Sequence, residues 1–165
     1  MFATHSEVAF PPSGLSLVDF NQDGWDDITF CTGPGDPPRF FQNRYGYFEE
    51  VDLGIDYSGH GNYIIWIDYD NDGDLDCFGI NNNTGAFLAN QDSIGQFNDV
   101  TASVGLNTLP SAIREGGLAA DFNKDGLLDL FRGVYAYTAP NSLLFQNSNH
   151  QFVDVSTSSG ACDSS

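Results

Sequence analysis

Basic residues are scarce in this chain of 165: Lys and Arg together number five against 23 Asp and Glu, a formal net charge of −18. Without a cluster of cations to neutralise phosphates, nucleic acid is not expected as a partner. An anionic membrane surface is disfavoured on the same ground. No apolar run approaches the roughly 18 residues of a membrane-crossing helix. The opening stretch, Met1–Gly14, carries neither a basic region nor an apolar one, so no signal peptide is expected in it. Cysteine is limited to Cys31, Cys77 and Cys162, too few and too scattered for a zinc cluster. No G-x-S-x-G, H-E-x-x-H or phosphate-cradling glycine loop is found either.

What the chain has instead is glycine and aromatic residues: 18 Gly, 14 Phe and seven Tyr, with little Lys or Glu. Many short strands joined by tight turns suit that mixture. At 41% hydrophobic the chain is long enough for one domain with a real core.

One nine-residue phrase occurs three times: DFNQDGWDD at Asp19–Asp27, DYDNDGDLD at Asp68–Asp76 and DFNKDGLLD at Asp121–Asp129. Their shared form is D-x-[DN]-x-D-G-x-x-D, at intervals of 49 and 53 residues. Oxygen-bearing side chains at positions 1, 3, 5 and 9 around a glycine suit a hard cation that takes many oxygens, and calcium fits best. Magnesium keeps its waters and rarely takes an all-protein cage. The expected side-chain ligands are Asp19, Asn21, Asp23 and Asp27, then Asp68, Asp70, Asp72 and Asp76, then Asp121, Asn123, Asp125 and Asp129. The position-7 residues Trp25, Asp74 and Leu127 would add backbone carbonyls. The three phrases hold 12 of the 23 acidic residues, and the second crowds five carboxylates together, which repel without a counter-charge. Plain Asp/Asn/Gly turns are the alternative; three copies with the same oxygen positions and the same glycine favour the cation.

An EF-hand is excluded, because it needs a bidentate Glu at position 12 and flanking helices. Phe30, Gly79 and Arg132 stand there, and the flanks are short, apolar and β-branched or aromatic. Each phrase therefore joins two strands. A third apolar run follows as FFQN (Phe40–Asn43), FLAN (Phe87–Asn90) and LFQN (Leu144–Asn147), its Asn expected to support a tight turn into the fourth run, since Asn tolerates left-handed backbone. A fourth run reads F-x-x-V at Phe48–Val51, Phe97–Val100 and Phe152–Val155, its Phe residues expected in the core, with Gly54, Gly105 and Gly160 beyond. Four short strands in about 50 residues make the unit of a β-propeller blade.

On these phrases, from Gly14 to Gly160, the chain resembles the FG-GAP/VCBS repeat family, the propeller blades of integrin α-subunits and many bacterial secreted proteins. The resemblance implies an all-β fold with calcium in the hairpin loops, mainly structural, and a secreted or cell-surface setting. Blades are placed at about 13–54, 61–105 and 115–160, with 1–12 as the end of a preceding repeat or linker and 161–165 as a tail. Family propellers close with about seven blades, so three imply further blades of a longer parent chain or self-association.

Function then rests on residues that do not repeat. A scaffold for protein–protein contact or adhesion would read its partner through the loops Gly33–Arg39, Asn81–Gly85 and Tyr135–Asn141. A carbohydrate-binding module would stack sugar rings on Tyr135 and Tyr137. An enzyme, such as part of a polysaccharide-active one, is the least favoured, since the paired carboxylates are repeated and a catalytic site normally occurs once. His60 and Arg114 precede the second and third phrases near the entry to the innermost strand, where a ligand role and a polar linker role both stay open. His5 and His150 read as solvated loop residues. Cys77, in the place of Ile28 and Leu130, reads as a buried apolar residue, and a Cys31–Cys162 bridge stays open.

Overall fold

The computed structural model describes residues 14–32, 36–55, 61–81, 85–109, 115–134 and 140–161. Twelve strands in that range build three four-stranded antiparallel sheets, each a meander in chain order. The first holds β1 (Leu15–Val18), β2 (Asp27–Phe30), β3 (Arg39–Arg44) and β4 (Tyr47–Val51). The second holds β5 (Gly61–Ile67), β6 (Asp76–Asn81), β7 (Gly85–Ser93) and β8 (Gln96–Asp99). The third holds β9 (Glu115–Ala120), β10 (Asp129–Val134), β11 (Ser142–Gln146) and β12 (Phe152–Asp154). Helix is limited, among the described residues, to a short 3-10 turn at Leu106–Thr108 and one α turn, α1 (Ser156–Ser159). The fold is all-β, of the open, partial propeller type, with each acidic phrase joining the first and second strands of its sheet.

Local chemistry explains the hairpins. The glycines at position 6, Gly24, Gly73 and Gly126, have φ near 90°, a bend that side chains with a Cβ rarely adopt. Between β3 and β4 the two-residue link Tyr45–Gly46 has φ of 57° and 92°, the mirror-image turn whose twist matches the flanking strands. Consecutive sheets stack with their first strands adjacent, β1 against β5 and β5 against β9.

The core lies between the sheets. Phe20, Cys31 and Phe40 from the first sheet meet Ile64, Trp66, Cys77 and Phe87 from the second. Trp66 stacks on Phe20 with ring centroids 4.8 Å apart and donates from its indole nitrogen to the Thr29 hydroxyl at 3.0 Å. A second cluster joins Tyr69, Phe78, Ile80 and Leu88 to Leu130, Leu144 and Phe152, with Val104 and Leu106 of the connecting segment between them. There the sheets approach closely: a Cβ at Gly117 would lie 2.8 Å from the Ile80 side chain.

Three expectations are corrected. The Asn that closes each third run does not mark equivalent positions, because the strand pairing aligns Asn43 with Gln91 and Gln146. Matching the runs by their last Asn slips the register by one residue, which exchanges the two faces of a strand. That Asn does support the turn in the first and third sheets, but through its side chain and not through left-handed backbone: Asn43 Oδ1 accepts from the Gly46 N–H and Asn147 Oδ1 from the Asn149 N–H. Finally, Phe97 and Phe152 pack against the clusters, but Phe48 is 40% exposed. Each of these Phe residues faces the preceding sheet, and no described sheet precedes the first.

Cys31 and Cys77 are buried free thiols, Cys77 within the inter-sheet core; Cys162 lies outside the described residues. No described helix is long and apolar enough to cross a membrane.

Candidate metal centre

Position 9 of each phrase is structural in its own right. Asp27, Asp76 and Asp129 are fully buried, at the start of the second strand. One carboxylate oxygen accepts from the position-2 backbone N–H, of Phe20 (3.2 Å), Tyr69 (2.9 Å) or Phe122 (2.9 Å). The other accepts from the third strand, at Asn43 (2.8 Å), Gln91 (2.8 Å) or Gln146 (2.9 Å). A short acidic side chain is needed because only it offers two acceptors at that reach.

Positions 1 and 5 wind the loop. The position-1 carboxylates of Asp19, Asp68 and Asp121 accept from the position-5 and position-6 N–H groups at 2.7–3.1 Å. The position-5 carboxylates of Asp23, Asp72 and Asp125 accept from the N–H groups of Trp25, Asp74 and Leu127, at 2.8–3.0 Å. Trp25, half exposed, turns its ring edge-on to Tyr45.

Position 3 separates the loops. Asn21 and Asn123 accept from the position-5 N–H and donate to the position-5 carboxylate, at 3.2 Å to Asp23 and 2.8 Å to Asp125. The second loop has Asp70 instead, which brings no donor. Its Oδ1 is buried without a hydrogen-bond partner. Asp68, Asp70 and Asp76 each place a carboxylate oxygen within 4.8 Å of the others, a set of three that could hold a metal ion. Asp72 is not in that set.

The electrostatics of the second loop follow. Burial pushes the Asp76 carboxyl up to about 7, against the lowering effect of its bonds from Gln91 and Tyr69. Burial, then the Asp72 charge, raises Asp70 as well, and burial raises Asp27 in the first loop. A divalent cation would reverse that bias, since its charge favours the ionised carboxylates. The residues present fit such an ion: an unpartnered buried oxygen, two further carboxylates and only oxygen donors.

His150 corrects another expectation. It is half-buried rather than solvated, its ring edge-on to Tyr69 with centroids 6.1 Å apart and its Nδ1 shielded. From the third sheet it lies close enough to the second loop for its charge to lower Asp70. The position-4 residues Gln22, Asn71 and Lys124 also carry a signal the phrases hid: all three have φ of 57–64°. Gln22 crosses to the second loop, its Nε2 donating to the Gly73 carbonyl (2.8 Å) and to Asp74 Oδ1 (3.1 Å). Gln91 and Gln146 likewise reach back to the preceding sheet, donating to the carbonyls of Phe20 (3.4 Å) and Tyr69 (2.8 Å). Repetition of an amide at the end of the third strand was the signal for them. His5, His60, Arg114, Tyr135 and Tyr137 lie outside the described residues, as do 33–35, 82–84 and 135–139 of the partner-reading loops.

Comparison with curated proteins finds no match. The model of the FG-GAP-like repeat matches twice, over residues 19–78 and 68–132. Each match begins at the first Asp of one acidic loop and ends just beyond the next loop, so the repeating unit of the family coincides with the loop-to-loop period and the sheets built on it. The matches span most of the chain, and the protein belongs to the FG-GAP-like repeat family, a β-propeller-type repeat scaffold.

Proposed function

We propose that the chain is a calcium-stabilised scaffold that works outside the cell in protein–protein contact or adhesion, and that it is not an enzyme. The observation that carries the calcium is the unpartnered, buried Oδ1 of Asp70 beside Asp68 and Asp76. Those three carboxylates would hold the ion, with Asp72 and the Asp74 carbonyl available to complete its shell; the ion supplies the positive charge that their mutual repulsion lacks. In the first and third loops the Asn amides already tie the position-5 carboxylates. Those loops are the weaker sites. An extracellular setting fits, because calcium is plentiful there and sites of modest affinity stay filled.

Metal bound only to the native state adds stability by mass action. Chelation is therefore expected to lower the melting temperature, and micromolar to millimolar calcium to restore it. Equal melting in EDTA and in calcium would overturn the proposal. Partner contact would fall to the loops that differ between repeats, at 33–39, 81–85 and 135–141.

A further inference from the structure

Each internal interface pairs bulk on one side with space on the other. Where the first sheet meets the second, its first two strands contribute only Val18, Thr29 and Cys31 beside Phe40 of β3, and the second presents Ile64 and Trp66. Where the second meets the third the roles exchange. Tyr63, Phe78 and Ile80 supply the bulk, and the facing strand β9 offers Gly117 and Ala119. Both interfaces also take an aromatic plug from position 2 of the leading loop, Phe20 at 1% exposure and Tyr69 at 6%.

The two outer faces carry the unmatched halves of the same pattern. On the rear of the third sheet the cross-strand pair Gly116–Gly133 stands where the second sheet has Tyr63–Ile80. Beside these glycines is an open hollow of about 480 Å³, with Leu118 and Phe131 in its walls and Tyr63 of the second sheet at its inner side. The third plug, Phe122, is 44% exposed. On the front of the first sheet, Leu15 and Leu17 occupy the positions of Ile64 and Trp66 and are 69% and 61% exposed.

Charge follows the same polarity. Lys124, the one lysine of the chain, takes the loop position from which Gln22 bridges to the next loop. Gln22 meets positions 6 and 7 of the next loop, which in the first loop are Gly24 and Trp25, flanked by Asp23 and Asp26.

We propose that these faces dock on one another between two copies of the chain, head to tail. Leu15 and Leu17 of one copy enter the glycine-lined hollow of the other, and Lys124 reaches the acidic first loop. This continues the large-on-small packing of the internal interfaces. One internal bond is not reproduced. Asn43, in the place of Gln91 and Gln146, is a methylene shorter and donates to the Asp26 carbonyl of its own loop. The contact between copies thus lacks one hydrogen bond that both internal interfaces have.

Sedimentation velocity and light scattering on the 165-residue chain in calcium, across a concentration series, test the proposal. The chain should form species larger than one copy. Leu17→Glu and Leu118→Glu, both at exposed positions, should keep the circular dichroism spectrum and melting temperature while weakening association more than about tenfold. Mixed, the two variants should give a heterodimer and nothing larger, since each retains the face the other has lost. Lys124→Glu should also weaken association and invert its response to salt. A chain that stays single at every concentration would overturn the proposal, as would variants that associate like the parent or a mixture no heavier than its parts.

Discussion

Replacing Asp70 by Asn should change the sign of its effect between chelator and calcium. Without metal, Asp70 is a half-buried carboxylate with one oxygen unpartnered and Asp72 beside it. An unsatisfied buried acceptor costs about 1–3 kcal/mol, and partial exposure places this one near the lower end. The amide removes the charge and can donate to Asp72, as Asn21 does to Asp23 and Asn123 to Asp125. D70N is therefore expected to gain about 1 kcal/mol in EDTA, a rise in melting temperature of about 2–4 °C for a chain of this size. Calcium should favour the parent, because the variant has lost a charged ligand. A Kd weakened about tenfold removes about 1.4 kcal/mol of the calcium increment, enough to cancel or reverse the gain. Urea unfolding of both proteins, followed by the fluorescence of the buried Trp66, in EDTA and in saturating calcium, measures the crossing. A D70N protein less stable than its parent in EDTA would refute the reasoning, and so would equal calcium increments in the two.

Three further outcomes are expected. Asp76 has its native pKa raised from 3.8 to about 7, so its contribution to metal-free stability is full below about 3.8 and lost as pH rises through about 7. The shift corresponds to about 4 kcal/mol. Calcium should offset that loss, so its effect on the melting temperature should grow from pH 4 to pH 7, and parallel pH profiles with and without calcium would contradict this. Phe97→Ala should cost about 2–4 kcal/mol by opening a cavity beside Trp66, whereas Phe48→Ala should cost less than about 1 kcal/mol; similar values for both in chemical denaturation would refute the difference between their faces. Burial pushes the Cys31 thiol up to about 12 and raises Cys77 as well, so alkylation mapped by mass spectrometry should spare both until urea unfolds the chain.

The blade was legible because its signals are local. A glycine at position 6 must bend the chain, Tyr45–Gly46 must reverse it, and the apolar runs between must lie extended, whatever surrounds them. Asp27, Asp76 and Asp129 were recognised as oxygen donors, but their bonds to the third strand were hidden, since sequence does not state which N–H will arrive from 15–17 residues away. In sequence, position 3 is one class, Asp or Asn; only with the loop folded does Asn21 tie a neighbour while Asp70 is left with a bare oxygen.

The sequence by itself determined the period, the all-β class, the strand–loop–strand placement of three acidic loops and the oxygen-only chemistry of those loops. Each depends on backbone geometry and charge within one repeat. The tertiary structure decided the register of the third strand, the burial of Phe97 against the exposure of Phe48, the approach of His150 to the second loop and the large-on-small match between sheets. These are relations between repeats. Hydrophobic burial and a desolvated carboxylate both depend on what the neighbouring sheet places there, and identical phrases can have different neighbours.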